Sequence, residues 1–182
     1  HRQRAAPVRG GTLSRTTEVT SGMERNGFVK GHALGNDYIV VDPAVLTFPL
    51  TERAIRLICD RHRGIGSDGI LAQAPSARAD FGLRIYNPDG TEAEKSGNGL
   101  RIFARYLHDH GLAARPEFTV ETPGGIVRVT LHLEQGRVER ITVDMGAATF
   151  RSDRIPATGP VREMVDEALE VDGRRLAVTA VS

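Results

Sequence analysis

Short apolar runs of strand length recur along this chain, and alternation of apolar and polar residues with period two is typical of a strand with one buried face. The clearest alternation runs from Gly125 to Leu133, and the turn-rich segment 134–137 folds it back as a hairpin. Strands are predicted at residues 28–30, 38–41, 70–72, 81–86, 118–122, 125–133 and 138–143. The pattern therefore predicts a fold that is rich in sheet.

Two segments have the spacing of helices instead. The first begins at Thr51, a suitable N-cap, and extends to about His62. The second runs from Gly97 to about His110 and is apolar around much of its circumference. Because such a helix needs cover on several sides, we predict an α+β fold in which a curved, mainly antiparallel sheet wraps around this central helix.

Candidate chemistry lies at the start of the second helix. The first amides of a helix have no intrahelical acceptors, and the positive end of its dipole attracts anions. Gly97 and Gly99 keep the backbone accessible, Asn98 adds amide donors, and Ser96 stands beside the expected anion. The segment therefore predicts a carboxylate or phosphate site with a hydroxyl at its edge. A serine N-cap after a glycine-rich turn is the purely structural alternative.

Composition argues against several classes of protein. The 182 residues carry 24 basic and 23 acidic side chains, so no nucleic-acid partner is indicated. No apolar run approaches the roughly 18 residues of a membrane span. Cys59 is the single cysteine, which excludes an internal disulfide framework and fits a reducing cytosol. We expect a cytoplasmic protein with a small-molecule ligand, no nucleic-acid partner and no membrane association.

Three further motifs do not add chemistry. Residues Gly64–Gly69 match the dinucleotide fingerprint GxGxxG, but a predicted helix precedes them and a predicted strand follows, which is the reverse of what that fingerprint needs. We interpret them as a tight loop. Cys59 lies on the apolar face of the first helix and is interpreted as a buried hydrophobic residue. The histidines lack the spacing of metal ligands, so no metal site is predicted.

Three segments carry a resemblance to a known family. They are Phe28–Asp42 (FVKGHALGNDYIVVD), Cys59–Leu71 (CDRHRGIGSDGIL) and Asn87–Arg101 (NPDGTEAEKSGNGLR). In this order they resemble the G-L-G-N-D-F, C-D-R-x-x-G-I-G-x-D-G and N-A-D-G-S-x-x-x-x-C-G-N-G segments of the diaminopimelate epimerase family. The chain is similar to the N-terminal half of that family, and Ser96 stands at the position of its first catalytic cysteine.

The resemblance implies a cofactor-independent isomerase that interconverts LL- and meso-diaminopimelate in lysine and peptidoglycan precursor synthesis. It gives Ser96 the first acid/base position, Gly97 and Asn98 the binding of the reacting carboxylate, and Asn36 and Asn87 contacts with the amino-acid substrate. The family places a second cysteine in a second, pseudo-symmetric half. We therefore expect this chain alone to be inactive, and a homodimer is left open.

The resemblance also suggests how the chain divides. Residues 1–22 are basic and rich in Ser, Thr and Gly, and are interpreted as a disordered leader. Residues 23–145 are expected to form the N-terminal epimerase-like domain. Residues 146–182 are expected to hold a connector and the start of a truncated second domain, with a helix or loop from residue 161 and a strand at 176–181.

The serine leaves several interpretations open. A thiol titrates near pKa 8.5 and a serine hydroxyl several units higher, and each unit corresponds to about 1.4 kcal/mol. Ser96 could act with a polarising neighbour such as Lys95 or Glu94, or could mark a related one-base racemase or dehydratase. It could also mark a non-catalytic, carboxylate-binding pseudoenzyme. Nothing in the sequence argues for nucleotide binding at Gly64–Gly69 or for pyridoxal chemistry on Lys30 or Lys95.

Overall fold

The structure is a computed structural model that describes residues 23–182, so the leader predicted over residues 1–22 lies outside the described residues. The elements, in chain order, are β1 (Val29–Ala33), β2 (Asn36–Val41), α1 (Glu52–Cys59), β3 (Ile70–Ala74), β4 (Phe81–Tyr86), β5 (Glu92–Ala93), α2 (Gly97–Asp109), β6 (Glu117–Thr122), β7 (Gly125–Glu134), β8 (Arg137–Val143), β9 (Glu167–Val171) and β10 (Arg174–Val178). Short 3₁₀ helices occupy Pro43–Val45 and Ser152–Arg154.

Strands β1 to β8 form one sheet, in the order β1-β2-β3-β4-β6-β7-β8 with β5 paired to β4. Neighbours are antiparallel except for β2 with β3 and β4 with β6, which are parallel. Helix α2 packs against β1 and β2 at one end of the sheet and against β8 at the other. The sheet must therefore curl around the helix, and the predicted α+β fold with a central helix is confirmed.

The main core fills the space between α2 and the concave face of the sheet. Seven residues of α2 are buried: Gly99, Leu100, Ile102, Phe103, Ala104, Tyr106 and Leu107. They pack with inward residues of the strands, among them Val40, Ile85, Val120 and Val129. Ser96 and the first turn of α2 lie at one end of this core, where the helix reaches solvent.

A second, smaller core lies on the outer face of the same sheet. Ile55 and Cys59 of α1 pack there against Ile39 of β2 and Ile70 of β3. Since successive strand residues point to opposite faces, β2 is buried on both sides, with Tyr38 and Val40 facing α2. Packing on both faces of β2 fixes the position of Tyr38 beside the start of α2.

Two connections place polar residues at the same end of the sheet. Leu34 and Gly35 have φ values of 55° and 87° and form the two-residue turn between β1 and β2, so Asn36 becomes the first residue of β2. The parallel register of β2 and β3 then brings Asp68 beside Asp37. The Asp68 amide donates to the Asp37 carbonyl at 2.9 Å. Residues distant in sequence therefore meet near α2.

The structure differs from the sequence expectations in two places. Helix α1 ends at Cys59, three residues before the predicted end, because Asp60 adopts an extended conformation and its carboxylate accepts the His62 and Arg63 amides. The prediction of a helix or loop followed by a strand over residues 161–182 is wrong in part, since β9 and β10 form a hairpin there. The division into domains is not tested and stays a prediction.

Candidate active site

Ser96 begins α2 as its N-cap. Its backbone is extended, with φ −144° and ψ 114°, and its Oγ accepts the Gly99 amide at 3.0 Å. Gly99 has to be small here, because a Cβ would lie 2.9 Å from the buried Leu71 Cδ2 and 3.1 Å from Ser96 Oγ. The structural role that the sequence allowed for Ser96 is therefore present, and it holds the hydroxyl at the edge of the helix start.

The next two amides of α2 are open to a ligand. Within residues 23–182, the Gly97 and Asn98 amides have no protein acceptor, and both residues are half-buried. A Cβ at Gly97 would meet the Arg101 guanidinium at 3.4 Å and the Met145 sulfur at 3.8 Å, so a cation lies next to the open amides. The first turn contains no acidic residue, whereas α1 carries Glu52 there. The positive end of α2 is therefore left for an outside anion.

Asn36 meets this helix start from the sheet. The Asn98 Nδ2 atom donates to Asn36 Oδ1 at 3.4 Å, and Arg101 donates to Asn98 Oδ1 at 3.3 Å. Asn36 Nδ2 in turn donates to Asp68 Oδ2 at 3.1 Å. Four of the five site residues predicted from the sequence, namely Ser96, Gly97, Asn98 and Asn36, therefore lie side by side.

Tyr38 is the direct neighbour of the Ser96 hydroxyl. The two oxygen atoms are 3.3 Å apart, and the tyrosine is only 7% exposed. The sequence suggested Lys95 or Glu94 as polarising groups, but the Lys95 side chain packs beside Gly124 instead. The partner of Ser96 in the described structure is thus a phenol.

Asn87 lies further along the same end of the sheet. Its side-chain amide donates to Thr91 Oγ1 at 2.9 Å, and its backbone closes the turn that joins β4 to β5. The carbonyl of Tyr86, the residue before Asn87, lies against Gly69. The ring of Tyr38 packs on the same glycine. Asn87 therefore shares this end of the sheet, while its side chain is bonded within its own hairpin and not to the other four residues.

A family profile described as diaminopimelate epimerase matches residues 28–151, which include all of these residues. The chain belongs to the diaminopimelate epimerase family. It is 52% identical over 146 residues to diaminopimelate epimerase 2 of Nostoc sp., covering 80% of this chain and 50% of that protein. It is 42% identical over 154 residues to diaminopimelate epimerase of Caldanaerobacter subterraneus subsp. tengcongensis, covering 85% and 56%.

A solved structure agrees at the level of fold. A crystal structure described as a probable proline racemase from Agrobacterium radiobacter superposes with a TM-score of 0.64 at 20% identity, covering 85% of this chain and 48% of that chain. Across these comparisons the chain spans about half the length of the proteins it matches. The family member described here thus corresponds to one half of its longer relatives.

The other sequence candidates have structural explanations. Cys59 is buried in the outer core, where burial raises the pKa of its thiol and Ser67 donates to its sulfur at 3.5 Å. The loop Gly64–Gly69 follows α1 and leads into β3, the order that the sequence indicated. Lys30 binds the Gly66 carbonyl at 2.6 Å and the Asp37 carboxylate at 3.1 Å.

No group of three His, Cys, Asp or Glu side chains within residues 23–182 is placed to share a metal ion. No helix in that range is long and apolar enough to cross a membrane.

Three residues near the site carried no role in the sequence analysis: Tyr38, Asp68 and Arg101. Arg101 had a usable signal, because it follows Gly97 by four positions and Asn98 by three, which places it on the same helix face. Tyr38 and Asp68 had none, since their positions depend on how β2 and β3 pair with each other and pack on α2.

Proposed function

We propose that the full-length protein carrying this chain is a diaminopimelate epimerase, interconverting the LL and meso forms without a cofactor, and that this chain binds the reacting carboxylate. One observation carries the proposal: two amides that have no acceptor among residues 23–182, at Gly97 and Asn98, meet the Asn36 side chain and the Ser96 hydroxyl at one helix start. Membership of the family supports the choice of substrate.

The helix start suits the charge that develops during proton abstraction. When the α-proton leaves, negative charge spreads into the carboxylate of the amino acid, and donors already aimed at that position stabilise it. The Gly97 and Asn98 amides need no rearrangement to do this, because the helix fixes them. The Arg101 guanidinium next to Gly97 adds positive charge at the same place.

The bonding of Ser96 favours a proton-donating role. The Gly99 amide can only donate, so it occupies one lone pair of Ser96 Oγ. The Tyr38 hydroxyl is buried 3.3 Å from Ser96 Oγ, and either oxygen could donate in this contact. We propose that Tyr38 is the donor, because a buried hydroxyl proton needs an acceptor. With this assignment the serine proton is left for a ligand. In the proposed reaction Ser96 delivers a hydrogen bond or proton on one face of the α-carbon.

Inversion of an α-carbon also needs a base on the opposite face. The resemblance implies that this group lies in a second half, and the chain covers only 50% and 56% of the two relatives compared above. We therefore expect the 182-residue chain tested alone to bind a carboxylate ligand but not to epimerise it.

A second candidate function rests on a specific contact. Ser96 Oγ caps α2 by accepting the Gly99 amide. A serine can form this cap equally well in a protein that binds a carboxylate without catalysing a reaction. A non-catalytic carboxylate-binding protein would keep this cap and the open amides and would not exchange the α-proton. A one-base dehydratase would exchange it and then lose a leaving group.

Incubating the full-length protein with LL-diaminopimelate in D2O tests these functions together. We expect loss of the α-proton signal with appearance of the meso form, and Ser96→Ala should slow both by roughly 100-fold or more. Thr51→Ala is a matched control, because Thr51 caps α1 in the same way and α1 packs on the outer face of the sheet. Binding without exchange would favour the non-catalytic protein, and an eliminated product would favour the dehydratase.

A further inference from the structure

The Asn36 side chain is held between two polar groups with opposite requirements. Its Nδ2 atom lies 3.1 Å from Asp68 Oδ2, and its Oδ1 atom lies 3.4 Å from Asn98 Nδ2. The Asp68 carboxylate also accepts the Asp37 amide at 3.1 Å and the Arg61 guanidinium at 2.8 Å. An ionised carboxylate only accepts hydrogen bonds, so the NH2 group of Asn36 must face Asp68.

A charge-balanced cluster keeps Asp68 in this position. Arg61 donates to the Asp37 carboxylate with both terminal nitrogens, at 3.2 Å and 2.6 Å, while it also holds Asp68. Lys30 also contacts the Asp37 carboxylate, at 3.1 Å. The Asp68 amide donates to the Asp37 carbonyl at 2.9 Å. Two cations thus balance two carboxylates, and Asp68 is tied by its backbone as well as its side chain.

With its NH2 group fixed, Asn36 turns its oxygen toward the start of α2. A carbonyl oxygen has two lone pairs, and the Asn98 contact uses one of them. The neighbouring groups at that point, the Gly97 and Asn98 amides and Arg101, all donate hydrogen bonds. Asn36 Oδ1 is therefore an acceptor placed among donors.

This polarity matches an α-amino acid. A carboxylate seeks the donors, and the ammonium group one carbon away seeks the acceptor. We propose that Asp68 is a positioning residue that orients Asn36 so that Oδ1 receives the α-ammonium group of the ligand, and that this contact discriminates amino acids from plain carboxylic acids. The inference rests on the proposed function, because it takes the ligand carboxylate to lie at Gly97 and Asn98.

Asp68→Asn separates orientation from structure. An asparagine at position 68 can donate as well as accept, so the Asn36 carboxamide is free to present either end to the ligand. The readout is the ratio of dissociation constants for diaminopimelate and for pimelate, which is the same dicarboxylic acid without its amino groups, measured by calorimetry on the full-length protein. Asp68→Asn should reduce the preference for diaminopimelate by about tenfold while changing pimelate affinity by less than twofold.

Two further variants make the test specific. Asp80→Asn is the matched control, because Asp80 also accepts a backbone amide and holds an arginine, on the Thr119 side of the sheet, and the ratio should not change. Asn36→Ala should lower the preference as Asp68→Asn does, and combining the two changes should add nothing further. This variant keeps the proposal testable if Asp68→Asn does not fold.

The outcomes are distinguishable. Equal weakening of both ligands by Asp68→Asn would show that Asp68 only supports the fold. An unchanged ratio in Asp68→Asn would show that Asp68 does not orient Asn36, and an unchanged ratio in Asn36→Ala would show that Asn36 does not contact the ammonium group. Each of these results overturns the inference and leaves the proposed carboxylate site standing. If the unaltered protein binds neither ligand, the proposed function fails and the inference fails with it.

Discussion

The hydroxyl of Tyr38 lies 3.3 Å from the hydroxyl of Ser96, although the two residues are 58 positions apart in the chain. Tyr38 comes from β2, which is clamped between α2 and α1, and Ser96 caps α2. Serine cannot form a thiolate, so the proposed donation from Tyr38 to its lone pair should matter more here than it would beside a cysteine.

Removing the tyrosine hydroxyl should therefore affect the serine form selectively. In the full-length protein, Tyr38→Phe should slow α-proton exchange about tenfold with Ser96 in place, and less than twofold when combined with Ser96→Cys. Deuterium incorporation measured by NMR gives both rates. Tyr86→Phe removes the hydroxyl of a tyrosine at the outer core and should leave the rate unchanged. Equal losses in both backgrounds would mean that Tyr38 acts through packing alone.

The two helix-start glycines should respond differently to alanine. At Gly99 a Cβ would press on buried Leu71 and on Ser96, so Gly99→Ala should lower the free energy of unfolding by about 1–3 kcal/mol. At Gly97 the Cβ makes ordinary contacts, so Gly97→Ala should leave the melting temperature nearly unchanged and weaken carboxylate binding about tenfold by crowding the amide. Thermal melts and pimelate titrations check both. Reversed effects would show that Gly97 is needed for packing and not for a ligand.

The outcome for the helices shows what local pattern can predict. The start of α2 was predicted correctly because a serine cap followed by glycines and an apolar spacing is a local signal. The hairpin of β9 and β10 also had a local signal that was missed: Asp172-Gly173, with φ values of 49° and 73°, is the Asp-Gly pair typical of a two-residue turn.

The site was less predictable than the fold. Ser96, Gly97 and Asn98 are contiguous, so one segment suggested all three, and Asn36 was suggested only by the family resemblance; their roles stay predictions. Tyr38 and Asp68 join the site through the parallel pairing of β2 with β3. That pairing brings together residues about 30 positions apart, and no local sequence pattern encodes it.

The ion-pair cluster of Lys30, Asp37, Arg61 and Asp68 should make the free energy of unfolding depend on pH. Hydrogen bonds from Arg61 chiefly, and from Lys30, hold the pKa of Asp37 well below its usual range. A carboxyl group whose pKa is lower in the folded state stabilises the fold at pH values above its unfolded pKa of about 3.9. This contribution is lost as the pH falls toward the pKa of the folded state. Asp37→Asn should lower the melting temperature by roughly 2–5 °C at pH 7.

Melting temperatures measured over a range of pH test whether the charge of Asp37 causes this lower melting temperature. The difference between the unaltered protein and Asp37→Asn should shrink steadily as the pH falls below about 4. Asp144→Asn, at an exposed carboxylate that accepts one backbone amide, should cost little at any pH. A difference for Asp37→Asn that stays constant down to pH 2 would show that the side chain matters by shape and not by charge.

The most direct test of the whole account compares Ser96 with cysteine in the full-length protein. Ser96→Cys should raise α-proton exchange and epimerisation of diaminopimelate, because a thiol near pKa 8.5 gives up its proton far more readily than a serine hydroxyl, whose pKa is several units higher. Ligand affinity should change little, since the two side chains are nearly the same size and the Gly97 and Asn98 amides are untouched. A serine form that matches or exceeds the cysteine form in turnover would contradict the account and move the one-base mechanism ahead of the epimerase.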